Sequence, residues 1–451
     1  MKKLFKNISY LATFDNNDTE LENAYIYIED NVIKDIGTGS PDIEADEIHD
    51  CKDMLIMPGF VNTHHHLYQS LTRNVKGAQN AKLFDWLVFL YERWKFIDRE
   101  GFYISSIIAN YEMMKTGVTT TTDHLYLYPY GLNEAIDAEI EGAIRTGIRF
   151  HPTRGSMSMS KKDGGLPPDS VVQTEKEIIK ESIRVIEKYH NPEKYSMLRI
   201  ALAPCSPFSV TPELMKETVK IAEEYDVLLH THVAETLDED EYCLEKFGKK
   251  PVDYMEELGW LNPRAWFAHL VWLSDSDIEK LAKNDVGMAH CPSSNMRLGS
   301  GIAPVTKMKD KIRIGIAVDG SASNDTNNMI AEIRNALLLQ RVKYGADALT
   351  VKEALRMGTM GGARVLRMDD YIGSIEIGKA ADFIGFNLNR LEFAGGLDDP
   401  LGAVLMCDGK QVDLNVINGE IRVKDGEILD DELPKLIEKH NEISKRVINS
   451  I

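Results

Sequence analysis

MPGFVNTHHHLYQ, residues 57–69, runs from an apolar stretch straight into three adjacent histidines. In an extended strand successive side chains point to opposite faces, so residues i and i+2 share one face. His64 and His66 then point one way and His65 the other. Short apolar runs that end in polar, chemistry-bearing residues recur seven more times: GVTTTTDHL (117–125), GIRFHPTRG (147–155), LRIALAPCS (198–206), VLLHTHVAE (227–235), AWFAHLVWL (265–273), VGMAHCPSS (286–294) and RIGIAVDGS (313–321). Helix-like segments lie between them, such as residues 172–190, 212–225 and 277–284. Eight alternations of strand and helix read as parallel strands with crossover helices. A closed (β/α)8 TIM barrel over residues 56–370 accommodates them most economically. An open doubly wound sheet is the alternative, but its glycine-rich phosphate fingerprint is absent.

The ends of the chain read differently. Residues 1–55 and 371–451 carry alternating strands, with Asp30-Asn31, Asn418-Gly419 and Asp425-Gly426 as turn signals. They are expected to pack together as one small composite β-sandwich domain, closed by a short amphipathic helix over 431–449. The formal charge of −19 argues against nucleic acid, where a basic face must neutralise phosphates. It leaves a free, uncharged base open as a ligand. Five scattered cysteines without a CxxC pair, and no long apolar span, read as a cytoplasmic chain with no membrane partner.

Catalytic groups of such barrels gather where strands end. The first run ends in His64 and His66, the fifth in His230, His232 and Glu235, the sixth in His269, the seventh in His290 and Cys291, the eighth in Asp319. HxH, then HxxE, then a strand-end histidine, then a strand-end aspartate is a specific pattern for a divalent metal, zinc or iron, held by imidazoles and a carboxylate. For His124, His151 and His290 the ordinary reading is kept: hydrogen-bonded core residues. Asp319 is placed to take a proton from a metal-activated water, and Glu235, three residues past His232, to hand one to a ring nitrogen.

These motifs, PGFVNTHHH (58–66), HTHVAE (230–235), AHL (268–270), HCPSSN (290–295), VDGSASND (318–325) and GSIEIGKAADFI (373–384), resemble the amidohydrolase superfamily over nearly the whole chain, in its mononuclear deaminase and chlorohydrolase branch. The resemblance implies one divalent metal ion on His64, His66, His232 and Asp319, with Glu235 as proton shuttle and His269 polarising the attacked group. Binuclear members need a lysine on the fourth strand, and LRIALAPCSPF has none. The resemblance also implies a homo-oligomer.

For the substrate, Gln69, Trp86, Trp94 and Arg154 are the candidates. Gln and Arg can read the edge of a purine or pterin, and Trp can cover its face. Trp86 and Trp94 also suit packing of the loop helix, and Arg154 a salt bridge. HHHLYQSLTR (64–73), RGSMSMSKKDGGLPPDSVVQ (154–173) and HCPSSNMRLGSGIAPV (290–305) look like 8-oxoguanine deaminases, with hydroxydechloroatrazine ethylaminohydrolases sharing much of the pattern. This implies a small purine-like base as substrate: 8-oxoguanine, or alternatively guanine, isocytosine, a pterin or a triazine. Leu166 and Trp94 stand where adenosine-type deaminases place an arginine and a glutamate.

Overall fold

The computed structural model describes residues 1–451 and contains the barrel. Its strands are Phe60–Asn62, Val118–Leu125, Arg149–Ser156, Ala201–Pro204, Leu228–Val233, Ala265–His269, Gly287–His290 and Arg313–Ile316. Each pairs in parallel with the next. The last strand meets the first through Thr63 N–H to Ile316 O (3.2 Å) and Val318 N–H to Asn62 Oδ1 (2.9 Å). Val61, Ala201, Ala289 and Ala317 contribute to the interior around one large side chain, Trp266, whose indole N–H donates to Thr63 O at 3.0 Å. The indole sits among small neighbours in the narrow barrel.

Three of the outer helices start on reciprocal caps: Thr174 with Glu177, Ser274 with Asp277, Thr350 with Glu353. Each pair satisfies backbone donors that the first turn leaves open.

The two termini build a second sheet of nine strands. Lys2–Ala12, Glu20–Glu29, Val32–Thr38, Glu47–Asp50 and Met54–Pro58 come from the start, and Phe383–Asn387, Leu414–Ile417, Glu420–Lys424 and Glu427–Ile428 from the end. The halves join where Met54–Pro58 pairs antiparallel with Phe383–Asn387. Phe5, Ile26, Ile28, Ile56, Phe383 and Val416 belong to its shared core. Asn418-Gly419 and Asp425-Gly426 both have two consecutive positive φ angles, the conformation of tight hairpin turns. A buried ion pair, Arg149–Asp382 at 2.9 Å, ties this sheet to the barrel, and Arg149 also donates to Tyr195 O and Ser196 O.

Two features differ from the sequence reading. The run 57–66 is not one strand. Met54–Pro58 belongs to the small sheet and Phe60–Asn62 to the barrel, because Gly59 breaks the run. A Cβ at Gly59 would lie 2.1 Å from the Thr119 side chain, so only glycine lets the chain pass that closely. The terminal helix, Leu433–Ile448, packs on the barrel rather than on the sheet. Its buried stripe is Leu436, His440, Ile443 and Val447. His440 Nε2 meets Ser70 Oγ at 3.1 Å and Ser444 Oγ donates to Leu71 O at 2.7 Å. No helix is long and apolar enough to cross a membrane.

Candidate active site

His64, His66, His232 and Asp319 converge just beyond the strand ends. His66 Nε2 and His232 Nε2 are 3.2 Å apart, and Asp319 Oδ1 is 3.2 Å from His64 Nε2 and 3.5 Å from His66 Nε2. Hydrogen bonds fix each imidazole's tautomer. His66 Nδ1–H donates to His124 O (2.8 Å) and His232 Nδ1–H to Cys205 O (2.6 Å). His230 Nδ1–H donates to Trp266 O (2.8 Å), so its Nε2 accepts from His64 Nδ1–H (2.7 Å). All three Nε2 atoms are therefore bare lone pairs facing one another. His64 Nε2 is buried without a hydrogen-bond donor. A buried acceptor set with no proton between its members needs a cation, so the residues fit a divalent metal. Burial holds these imidazoles below their ordinary pKa, His232 down to about 3, which keeps them in the neutral form that binds metal. Burial opposes charge on Asp319, yet the facing side chains of His64, His269 and His66 hold it well below the usual carboxylate range.

Glu235 and His269 flank this group. His269 Nε2 lies 3.5 Å from Glu235 Oε2 and 3.8 Å from Asp319 Oδ2, and its Nδ1 bonds Asn295 Oδ1 at 2.9 Å. Burial works against a charge on His269, but the carboxylates of Glu235 and Asp319 raise its pKa above the ordinary value. Burial raises Glu235 as well, favouring the protonated acid. Ser300 Oγ donates to Glu235 Oε1 at 3.3 Å. The backbone is left-handed at Ala234, His269, Leu270 and Asp319, four non-glycine positions at these strand ends. Each costs on the order of 1 kcal/mol and is held by its surroundings.

A narrow cavity opens over the group. Leu83, Trp86, Leu87, Tyr91, Tyr126, Phe208 and Leu298 wall it, and Gln69, Cys205 and Ser323 join His66, His232, Glu235, His269 and Asp319 as its polar lining. No arginine or lysine lines it. Gln69 Oε1 accepts from Ala322 N–H at 3.4 Å, and Trp86 Nε1–H donates to Ala322 O at 3.2 Å. Trp94 and Arg154 do not line the cavity, contrary to the sequence reading. Trp94 is fully buried behind it, donating to Thr72 Oγ1 at 2.9 Å and meeting Tyr68 edge to face. Its presence therefore says nothing about the base. Arg154 is 1% exposed, stacks over Tyr128 at 3.9 Å and donates to Gln173 Oε1 at 2.7 Å, so its guanidinium is already committed.

His65 faces away, bonding Asn327 Oδ1 at 2.9 Å. Cys291 is buried in the barrel interior. His290 is buried, but neither ring nitrogen has a partner, unlike the hydrogen-bonded core residue expected. Several supports escaped the sequence reading. Asn62 accepts from Val318 N–H and donates to Thr121 Oγ1, clamping three strands. Asn295 orients His269. Glu239 accepts the N–H of Ala234 and of Glu235, each at 2.9 Å. No spacing singles out Glu239, which stands within the acidic run Asp238-Glu239-Asp240-Glu241.

The model of the family described as "Amidohydrolase family" matches residues 55–422. The chain is 42% identical to an 8-oxoguanine deaminase of Pseudomonas aeruginosa, over 97% of this chain and 98% of that one. It is 32% identical to a hydroxydechloroatrazine ethylaminohydrolase of Pseudomonas sp. (strain ADP), over 99% and 95%. Its fold superposes on an atrazine chlorohydrolase of Arthrobacter aurescens TC1 complexed with zinc, with a TM-score of 0.92 at 30% identity, covering 99% and 100% of the two chains.

Proposed function

The chain belongs to the amidohydrolase family and is a hydrolytic deaminase, and from that premise we propose that its substrate is 8-oxoguanine, which with water gives urate and ammonia. The observation that carries this reading is the cavity: largely aromatic and aliphatic walls, a small set of polar side chains beside Glu235, His269 and Asp319, and no lysine or arginine. Such a slot suits a flat, uncharged ring and offers nothing to a phosphate or an amino-acid tail. The 42% identity to an 8-oxoguanine deaminase supports the same choice.

The metal is one divalent ion, zinc, held by His64, His66, His232 and Asp319. When bound, it supplies Lewis-acid chemistry that makes water acidic enough to react near neutral pH. Asp319 Oδ2, kept ionised, takes the proton from the attacking water and returns it to the amino nitrogen, whose bond to the ring carbon then breaks to release ammonia while the new C–OH gives its proton back to Glu235. Glu235 holds a proton on Oε2 and passes it to the ring nitrogen beside the amino-bearing carbon. His269, fixed by Asn295 between both carboxylates, polarises that carbon's substituent through Nε2. Gln69, whose Oε1 is engaged by Ala322, keeps Nε2 to donate to a ring oxygen or nitrogen. Trp86 covers the ring face.

Ammonia release by zinc-loaded protein from a panel of 8-oxoguanine, guanine, isocytosine, pterins and hydroxytriazines tests this. Urate should appear with 8-oxoguanine at the highest kcat/KM. Turnover of the other bases with 8-oxoguanine ignored would refute the substrate. No turnover of any would refute the deaminase.

A further inference from the structure

A fourth imidazole shares the metal group without belonging to the ligand set above. His124 sits near the end of the strand Val118–Leu125, fully buried. Its Nε2 lies 2.9 Å from Ala203 O, a carbonyl that can only accept, so Nε2 carries the ring's proton and Nδ1 a lone pair. Nδ1 is buried with no hydrogen-bond partner. The ring stacks on His232 at 4.8 Å and 20°. Donor nitrogens of His64, His66, His124 and His232 all lie within 4.8 Å of one another. Every N–H of these four rings points outward, to His230, His124 O, Ala203 O and Cys205 O. Four lone-pair nitrogens thus lie close together, with none of the four N–H groups bonded among them. His290 is also buried without partners on its ring nitrogens, so it is the place of His124 beside His64, His66 and His232 that distinguishes it.

We infer that His124 Nδ1 is a further metal donor, so that the base of the site is a four-histidine pocket able to hold the ion without the Asp319 carboxylate. This rests on the metal-site reading proposed above. It separates two duties within one site: the imidazoles retain the ion, and Asp319 is freed to carry a proton.

The test is zinc affinity, measured by competition with a chromophoric chelator, for the full chain, for Asp319→Ala, and for Asp319→Ala combined with His124→Phe. Asp319→Ala should retain zinc at one ion per chain, and adding His124→Phe should weaken it about 10–100-fold. Equal affinities of the single and double variants overturn the inference while leaving the metal site intact. A wild-type chain that binds no zinc overturns both. Should the double variant fail to fold, X-ray absorption on zinc-loaded Asp319→Ala decides: four imidazole nitrogens at about 2.0–2.1 Å support it, and three overturn it.

Discussion

Glu239→Ala offers a direct probe of how the catalytic acid is held. Glu239 is fully buried, and its carboxyl accepts the N–H groups of Ala234 and Glu235 at 2.9 Å each. Those two residues form the turn that presents the Glu235 side chain, and Ala234 is held there at φ 55°. Removing the carboxyl leaves two buried donors unpaired, each costing about 1–3 kcal/mol, or about 2–6 kcal/mol of stability together. Part of that strain relaxes through the left-handed turn, which carries Glu235 off its position. A displacement of about 1 Å lowers kcat roughly 100-fold. Zinc should remain, because His232 is anchored through Cys205 O and not through this turn. Glu239→Gln keeps one acceptor and loses the other, so about half the stability loss and a smaller drop in kcat are expected. Thermal melting, zinc stoichiometry and steady-state kinetics on both variants measure this. An Ala variant that melts and turns over like the wild type would refute the reasoning.

Glu235→Gln should keep its zinc and lose about 10²–10⁴ in kcat; an unchanged rate would show that another group moves the proton. Gln69→Ala should raise KM with little change in melting temperature, whereas Arg154→Ala should lower the melting temperature through the lost stack on Tyr128 and leave KM unaltered; the reverse pattern would return Arg154 to the cavity. Burial depresses His440 to about 4, against an ordinary histidine near 6.5. Between those values the unfolded chain binds a proton that the folded chain refuses, so stability falls as pH drops from about 6.5 to 4, by roughly 3 kcal/mol. Urea unfolding at pH 7 and pH 5 should show a smaller loss of stability in His440→Gln than in the wild type, the remaining slope coming from the other buried imidazoles such as His232; equal slopes would refute the assignment to His440.

The metal group was legible because strand geometry converts spacing into direction: His64 and His66, two apart, must share a face, and His65 must not. The eight strands were legible for the same reason of periodicity. Trp94 and Arg154 were not, since both depend on how loops fold back. Nothing local says that Thr72 will take the Trp94 indole or that Tyr128 will take the Arg154 guanidinium. The terminal helix announces an apolar stripe but not its partner, and the complementary surface around Ser70 and Leu71 lies at the far end of the chain. His124, a lone histidine on an apolar run, reads as core from sequence; the partnerless Nδ1 depends on the tautomer that Ala203 O sets, which no local pattern shows.

The junction at Gly59 has a consequence for how the protein is made. The strand Met54–Pro58 runs into the strand that leads to His64 and His66, yet its neighbour Phe383–Asn387 is synthesised only after the whole barrel. At about 5–20 residues per second, the ribosome needs tens of seconds to supply that neighbour. Closing so long a loop is also a late, entropically costly event in refolding. During that interval Met54–Pro58, just ahead of the strand that leads to the first histidines, keeps one open side, while Phe60–Asn62 already has its barrel neighbours. The barrel and its histidine cluster can therefore form on the emerging chain before the small sheet that adjoins them is whole.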